Sequence, residues 1–441
     1  MSGSDAPSVE NASITPMQGC RWLLSLVRGA IRFLSWLSLA WLLLAALAIH
    51  GVGHHNPTPA FLLFLPGWLW CAPALAMLAP ALLFDFLRSG APLFLATLCF
   101  LGPGLGYEFS FGTSSPQGAH TLKVMTYNRG QSQGTSLQPF KNRNQPDLLA
   151  LQDSGGRAQA YLEADGYKEF SHGASSGEFL LLSKFPILNT QPIVFTHQPN
   201  KQGQIQRSEL GARFEIDWAG TRVAVYNMHF PTHRGMLQSE RNGGFLSGVL
   251  GIPGTPLAQK RHNREAYWEV TLRQIRQVSD LVGKETIPVI LVGDMNNPPF
   301  GPFHRTLCEH LVDGHSEAGH GYGYTFPGQT NNPLALFRPW LRIDYALHSK
   351  GAWTTLRHEP SQAEPRNTAP SSPNSARPDA DRGSAISPAD GPHPKDLPRL
   401  ANHSRSHPTE TPVDQLPSAA PPDWRRPPPH LSHVAAPEAG F

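Results

Sequence analysis

From Phe33 to Gly53 the chain reads FLSWLSLAWLLLAALAIHGVG, twenty-one residues without one charged side chain. About 20 apolar residues in a helix cross the roughly 30 Å hydrocarbon core of a bilayer, and in water such a segment would have to be buried on every face. Two further uncharged runs follow: Asn56 to Phe84, broken by Pro66, Pro73 and Pro80, and Ser89 to Tyr107, which comes after Asp85 and Arg88. The simplest reading is about three transmembrane helices within residues 19–110, behind a disordered N-terminus, 1–18. A cleaved signal peptide is the alternative, because Ala46-Leu47-Ala48 has the small-x-small form of a cleavage site. The long polar lead and the two later runs argue against it. Arg21, Arg28 and Arg32 precede the first run and no Lys or Arg separates the first two. The excess of positive charge predicts a cytoplasmic N-terminus. Three crossings then make this a multi-pass membrane protein whose remaining domain is extracytoplasmic.

The other end has the opposite character. From His358 to Phe441 fall 18 of the chain's 43 prolines, among Ser, Ala, Arg and Asp and with almost no apolar periodicity. Such a segment buries too little apolar surface to offset its ordering entropy, so a disordered Pro-rich tail is expected over 358–441. Net charge is +3, nearly balanced, so nothing suggests a polybasic nucleic-acid tail. Cys20, Cys71 and Cys99 lie in or beside apolar stretches and Cys308 stands alone, so no disulfide framework is implied.

The chemistry must therefore lie in the middle, residues 119–357. Short apolar runs alternate there with turn residues: 121–127, 147–152, 178–183, 211–217, 222–230, 287–294 and 341–349 read as strands. Trp268, Leu272, Ile275, Val278 and Val282 recur at helical steps between Arg264 and Gly283, an amphipathic helix laid on a sheet. Strands covered by helices on one side and by other strands on the other describe an α/β sandwich.

Polar residues close these strands. Asn128 follows VMTY, Asp153 follows LLALQ, Asn227 and His229 sit in VYNMHF, Asp294 and Asn296 follow VILVG, and Asp344 sits in RIDY. One such residue would be a turn or cap; five strands ending this way predict convergence on one polar site. Carboxylate and amide oxygens are hard ligands suited to Mg²⁺ or Mn²⁺. A second carboxylate orients or deprotonates water, while Asn and His donate to phosphate oxygens. Metal-assisted attack of water on a phosphoester is the economical reading.

From Leu122 to Lys350 the pieces MTYN, PDLLALQD, LLLSKFPI, VYNMHF, VGDMNNPP, YTFPG and RIDYALHSKG stand in an order that resembles the endonuclease/exonuclease/phosphatase superfamily, which shares the deoxyribonuclease I fold. The resemblance implies a four-layer α-β-β-α sandwich, two mixed sheets flanked by helices. It also implies site roles. Asn128 lies beside the metal and phosphate, and Asp153 takes the place of the family's metal-binding Glu. His229 contacts the scissile phosphate, Asp294 positions the attacking water and Asn296 holds a phosphate oxygen. Asp344 matches an Asp that orients a histidine from the last strand.

Two departures accompany it. Asp153 is one methylene shorter than the usual Glu, and no Asp-His dipeptide, the family's closing pair, occurs after Asp344. The tail has the composition of GC-rich coding sequence read out of frame, which a frameshift near His358 would produce. Three functions follow as expectations: a membrane-anchored, divalent-metal-dependent phosphoesterase acting on a phosphodiester in nucleic acid or a phospholipid headgroup; an impaired member that binds phosphorylated ligands; and a membrane scaffold. The bilayer is a partner through the N-terminal helices, and no protein partner is inferable. Elsewhere, His233 reads as solvent-exposed, the spacing of His310, His315 and His320 lacks a zinc partner pattern, GPGLG and GYGY are not phosphate loops, and FLSGVLGIPG (245–254) is a plain apolar insertion.

Overall fold

The apolar runs form helices, the conformation that satisfies a main chain without water. A computed structural model describes residues 16–52, 63–110, 121–130, 137–199, 203–233, 235–236, 256–327 and 339–360. The chain divides into Met1–Arg366 and Asn367–Phe441. The second unit, nearly all of the expected disordered N-terminus and Pro-rich tail, and the 245–254 insertion lie outside the described residues.

Helix α1 (Pro16–Ala46) begins inside the segment read as disordered and continues through a π-helical stretch, Leu47–Val52. Helix α2 spans Trp68–Phe84, and a second π-helical stretch, Phe86–Gly90, leads into α3 (Ala91–Leu101). Two segments are long and apolar enough to cross a membrane: Cys20–Val52, 33 residues, and Phe86–Leu105, 20 residues. With 17 residues interrupted by Pro73 and Pro80, α2 is shorter, so of the three spans expected two have the length and composition of one. Leu42, Ala45, Ile49, Cys71, Ala74, Ala81, Leu93 and Phe100 form a core shared by the three helices. Leu43, Leu83 and Leu87 turn outward, 71%, 78% and 81% exposed. Arg32 donates from Nε and Nη2 to the Asp85 carboxylate at 2.8 and 2.9 Å, joining the start of the first apolar run to the end of the second.

The remaining elements are β1 (Glu108–Phe109), β2 (Val124–Asn128), α4 (Gln138–Asn144), β3 (Leu148–Gln152), α5 (Ala158–Glu163), β4 (His172–Ser176), β5 (Phe179–Ser183), β6 (Ile187–Thr196), β7 (Arg207–Trp218), β8 (Thr221–His229), α6 (Pro256–Gly283), β9 (Val289–Asp294), α7 (Pro302–Leu307), β10 (Leu311–Asp313), α8 (Gly314–Ala318), β11 (His320–Gly321) and β12 (Asp344–Ser349). Every strand read from the sequence forms, with shifted ends. Among the strands it missed, β6 carries Pro192, which its edge position tolerates.

Two sheets carry the fold, β10-β12-β9-β8-β7-β6 and β2-β3-β5-β4, and β1 pairs with β11 in a separate ribbon. Helix α6 is the crossover between the parallel strands β8 and β9. Its stripe of Trp268, Leu272, Ile275, Val278 and Val282 packs on the outer face of the six-stranded sheet. Between the sheets, Leu148, Ala150, Phe179 and Leu181 meet Phe214, Val223, Val225, Ile290 and Val292. On the far face Leu149, Leu151, Leu180 and Leu182 meet Tyr161, Tyr167 and Phe170. Strands β3 and β5 are thus buried on both faces, which is why they read as unbroken apolar runs. The layers are α-β-β-α, as the resemblance implies.

Buried polar groups pin the sandwich. Asn227, grouped by sequence with the strand-end residues, lies inside it instead. Its Nδ2 donates to the carbonyls of Leu151 and Leu180 at 3.0 Å each, and Gln152 Nε2 donates to its Oδ1 at 2.6 Å, clamping sheet to sheet. The Arg342 guanidinium grips the Asp313 carboxylate with two bonds of 3.0 and 2.7 Å and stacks over Tyr345 at 4.6 Å. His358, where the tail was expected to begin, still bridges to Gly319.

Candidate active site

Strand direction explains why the predicted residues meet. Strands β8 and β9 are parallel and pair His229 with Asp294; β12 runs against β9 and sets Asp344 opposite Asp294. In the other sheet β2 and β3 are parallel, which leaves Asn128 beside Gln152 and Asp153 just beyond. Strand β5 is antiparallel to β3, so its start returns to the same rim and brings Glu178 with it.

At that rim Asn128 Nδ2 donates to Asp294 Oδ2 at 3.0 Å and lies 3.3 Å from His229 Nε2. Asp294 is 3% exposed, and its Oδ1 accepts the Asn296 N–H at 2.9 Å. Burial raises the Asp294 pKa and Asp153 adds to that, while His229, the Asn296 N–H and Asn128 oppose it; the outcome is a carboxylate above its ordinary range. His229 Nδ1 lies 2.7 Å from Glu178 Oε1. Burial alone would lower the His229 pKa, but the bond to Glu178 and the charges of Asp294, Glu178 and Asp153 raise it.

Asp153, Glu178 and His229 each present a ligand atom within 4.8 Å of the others, the single such group found among the described residues. Asp153 takes a left-handed conformation, φ 53°, that turns its carboxylate back into the rim. Burial and Glu178 raise its pKa against the opposing charge of His229 and the Gly130 N–H. Two carboxylates held this close require a cation or a proton between them, and hard oxygen donors fit Mg²⁺ or Mn²⁺. Glu178 escapes a reading of strand ends because it stands where an antiparallel strand begins. Asp344, by the same rule, opens β12 rather than closing a strand. Burial first, then the neighbouring Asp294, raises its pKa to about 7.

Two histidine and asparagine readings change. Asn296 has φ 49° and donates from Nδ2 to the Phe230 carbonyl at 2.8 Å, so part of its amide braces the loop after β8. His233 is buried, not exposed: Nδ1 lies 2.6 Å from the Tyr267 hydroxyl and Nε2 lies 3.0 Å from Asn297 Oδ1, and burial lowers its pKa to about 4. Its neutral imidazole accepts a hydrogen bond from the Tyr267 hydroxyl at Nδ1 and donates from Nε2 to Asn297 Oδ1. The histidines at 310, 315 and 320 do not gather: His315 bonds the Gly321 carbonyl and neighbours His358, His320 lies by Tyr107, and His310 sits against Gly283.

The rim also meets the apolar helices. Phe300, six positions beyond Asp294, packs in their core and edge-on to His50 at 5.0 Å. Gly106, φ 75°, lets the chain pass against that ring, where a Cβ would collide. Phe64 stacks on Trp268 at 6.0 Å, and the Tyr322 hydroxyl donates to the Leu101 carbonyl at 2.5 Å.

Residues 133–366 match the Endonuclease/Exonuclease/phosphatase family. Among solved structures, the chain is similar to an endonuclease/exonuclease/phosphatase family protein from Leptotrichia buccalis (13% identity, 52% of this chain and 88% of that one, TM-score 0.32). It is also similar to sphingomyelinase C from Streptomyces griseocarneus (18%, 55% and 87%, TM-score 0.33). A third is an AP endonuclease from Archaeoglobus fulgidus (15%, 52% and 87%, TM-score 0.31). No curated protein matches the chain.

Proposed function

Because this chain belongs to the endonuclease/exonuclease/phosphatase family, whose members are metal-dependent phosphoesterases, we propose that it hydrolyses a phosphodiester at a membrane surface with the help of Mg²⁺ or Mn²⁺. One observation carries the proposal. Asp153, Glu178, Asp294 and Asp344 converge on a rim where, among the described residues, His229 is the basic side chain paired with Glu178 and Asp294. Such a rim repels a phosphate by itself. A bound divalent cation offsets that charge and polarises a phosphoryl oxygen.

Asp153 and Glu178 would hold the cation, with Asn128 at its side; Glu178 supplies a carboxylate where Asp153 is one methylene short. Asp294 positions the attacking water. Its raised pKa makes it a stronger base than an exposed carboxylate, and the Asn128 and Asn296 bonds fix its two oxygens. His229, whose charged form its acidic neighbours favour, would face a phosphate oxygen. Asn296 has a second amide hydrogen beyond the one given to Phe230, and this would steady another. Asp344, whose carboxyl burial and the neighbouring Asp294 push up to about 7, would hold a proton part of the time near neutral pH.

Membrane attachment rests on the outward-facing leucines of α1 and α2 and on the seam at Phe300 and Tyr322, which sets the rim beside the helices. With the shorter helix α2 counted as a third span, the division 1–18, a membrane region 19–110, a hydrolase domain 119–357 and a tail 358–441 would put the domain outside the cytoplasm and favour a phospholipid headgroup over nucleic acid. A cysteine introduced as Lys168→Cys should react with a membrane-impermeant maleimide from outside intact cells. The activity is tested on full-length protein with phospholipid vesicles and single-stranded DNA in parallel, with and without chelator. Metal-dependent release from lipid that Asp294→Ala abolishes supports the reading; release from DNA alone corrects the substrate. Metal binding without turnover of either would favour the second reading, a phosphate-binding member, which the lack of an Asp-His pair after Asp344 motivates.

A further inference from the structure

The loop after β9 is held in a shape it would not take alone. Of the five non-glycine residues with positive φ among the described residues, two stand in it, Asn296 at 49° and Phe300 at 73°. Asparagine tolerates that region; a bulky aromatic is an outlier there. Such a backbone persists only where its surroundings over-determine it. Between the two, Pro298 and Pro299 fix their own φ and restrict the residue before each, so the loop has few ways to absorb a shift at one end. Strand β9 stops at Asp294, so strand register does not extend to Asn296.

The apolar helices reach this loop at two points. Phe300 puts its ring into their core, edge-on to His50 at 5.0 Å, and a Cβ at Gly106 would collide with it. His50 is itself held, with Nε2 2.8 Å from the Gly104 carbonyl. The second point is Phe64, just before α2, which lies edge-on to His233 at 5.2 Å. His233 in turn donates from Nε2 to Asn297 Oδ1 at 3.0 Å, and the Tyr345 hydroxyl donates to the Asn297 carbonyl at 2.9 Å. Asn297 adjoins Asn296, whose N–H bonds Asp294 Oδ1. A tether would need only the covalent connection after α3. It would not need a strained aromatic from the loop that carries Asp294 and Asn296.

We infer that the apolar helices are a working part of the active site as well as its attachment. Phe300 and His233 are positioning residues: through them the helices hold the loop so that Asp294 and Asn296 face one phosphate. Loosening this seam would disturb the phosphate side and spare the cation side, because Asp153 and Glu178 belong to the other sheet. The effect on catalysis rests on the hydrolytic reading, whereas the grip of the helices on the loop does not.

The test uses the full-length protein in detergent micelles, with amide hydrogen exchange read without substrate. Phe300→Ala should speed exchange about tenfold at Met295 and Asn296, whose N–H groups bond the Ile343 carbonyl and Asp294. Val124–Asn128, in the other sheet, should be unchanged. Phe300→Leu, which keeps an apolar anchor, should restore most of the protection. Phe64→Ala, a change in the helical segment, should act in the same direction through His233. In the hydrolytic assay Phe300→Ala and Phe64→Ala should lower kcat/KM about tenfold to a hundredfold, with Mn²⁺ affinity unchanged. Unaltered exchange at Met295 and Asn296 in both variants overturns the inference, as does equal acceleration in the two sheets, the mark of a general loss of fold. Faster exchange with kcat/KM unchanged overturns it as well. If the wild type turns over no phosphodiester, exchange alone decides whether the helices hold the loop, so the two readings fail separately.

Discussion

The six-stranded and four-stranded sheets hold their parts of the rim by different means. In the larger sheet His229, Asp294 and Asp344 sit on neighbouring strands in direct register, so main-chain bonds set their spacing. In the smaller sheet Asn128 ends an edge strand, Asp153 stands beyond β3 with φ 53°, and Glu178 leaves the turn before β5. Strand pairing thus fixes the half proposed to face phosphate, the rigid half, while the half proposed to hold the cation sits on short connections and is the more adjustable. The exchange of carboxylate length that the resemblance implies at Asp153 falls in that adjustable half.

The sharpest way to break this comparison is Asp294→Ala. If the rigid half positions the water, hydrolysis should fall by up to about 10⁴-fold with circular dichroism unchanged. Next comes Arg342→Ala, which leaves Asp313 buried with His304 as its remaining side-chain partner. A broken buried pair costs about 3–5 kcal/mol, read as a lowered urea midpoint. Glu178→Gln tests the adjustable half: Mn²⁺ affinity, followed by electron paramagnetic resonance, should fall about tenfold to a hundredfold with kcat at saturating metal less affected. A loss confined to kcat would reverse the assignment of the two halves.

The smallest effect concerns pH. Folding raises the Asp344 pKa to about 7, so the folded chain keeps a proton that the unfolded chain releases near pH 4. Stability from this group is full below that and is lost as pH rises to about 7. Asp344→Asn should therefore stabilise the fold at pH 8 and leave it nearly unchanged near pH 4, measured by thermal melts at both. His233 works the other way. Held near a pKa of 4 by burial, it contributes stability above about pH 6.5, which is lost as pH falls toward 4.

Much of this was legible in the sequence, for physical reasons. Unbroken runs such as LLALQ and FLLLS announce strands buried on both faces, and the stripe from Trp268 to Val282 announces the covering helix. Strand ends gave Asn128, Asp153, His229 and Asp294, which the structure gathers at one rim. What escaped depends on partners distant in the chain. Strand β6 hid behind Pro192 because edge position, which excuses a proline, is a property of the sheet. His233 looked exposed because Tyr267 and Asn297, which bury it, lie far along the chain. Asn227 looked like a site residue because an inward amide between two sheets cannot be told from one at a rim without both sheets.

Gly130 carries a last consequence, for how this protein can change over generations. A Cβ at that position would run into Asp153 Oδ2. The two positions are therefore expected to change together: a side chain gained at 130 is accommodated by moving the Asp153 carboxylate, the far end of a flexible side chain, and so is read first in metal affinity rather than in the fold.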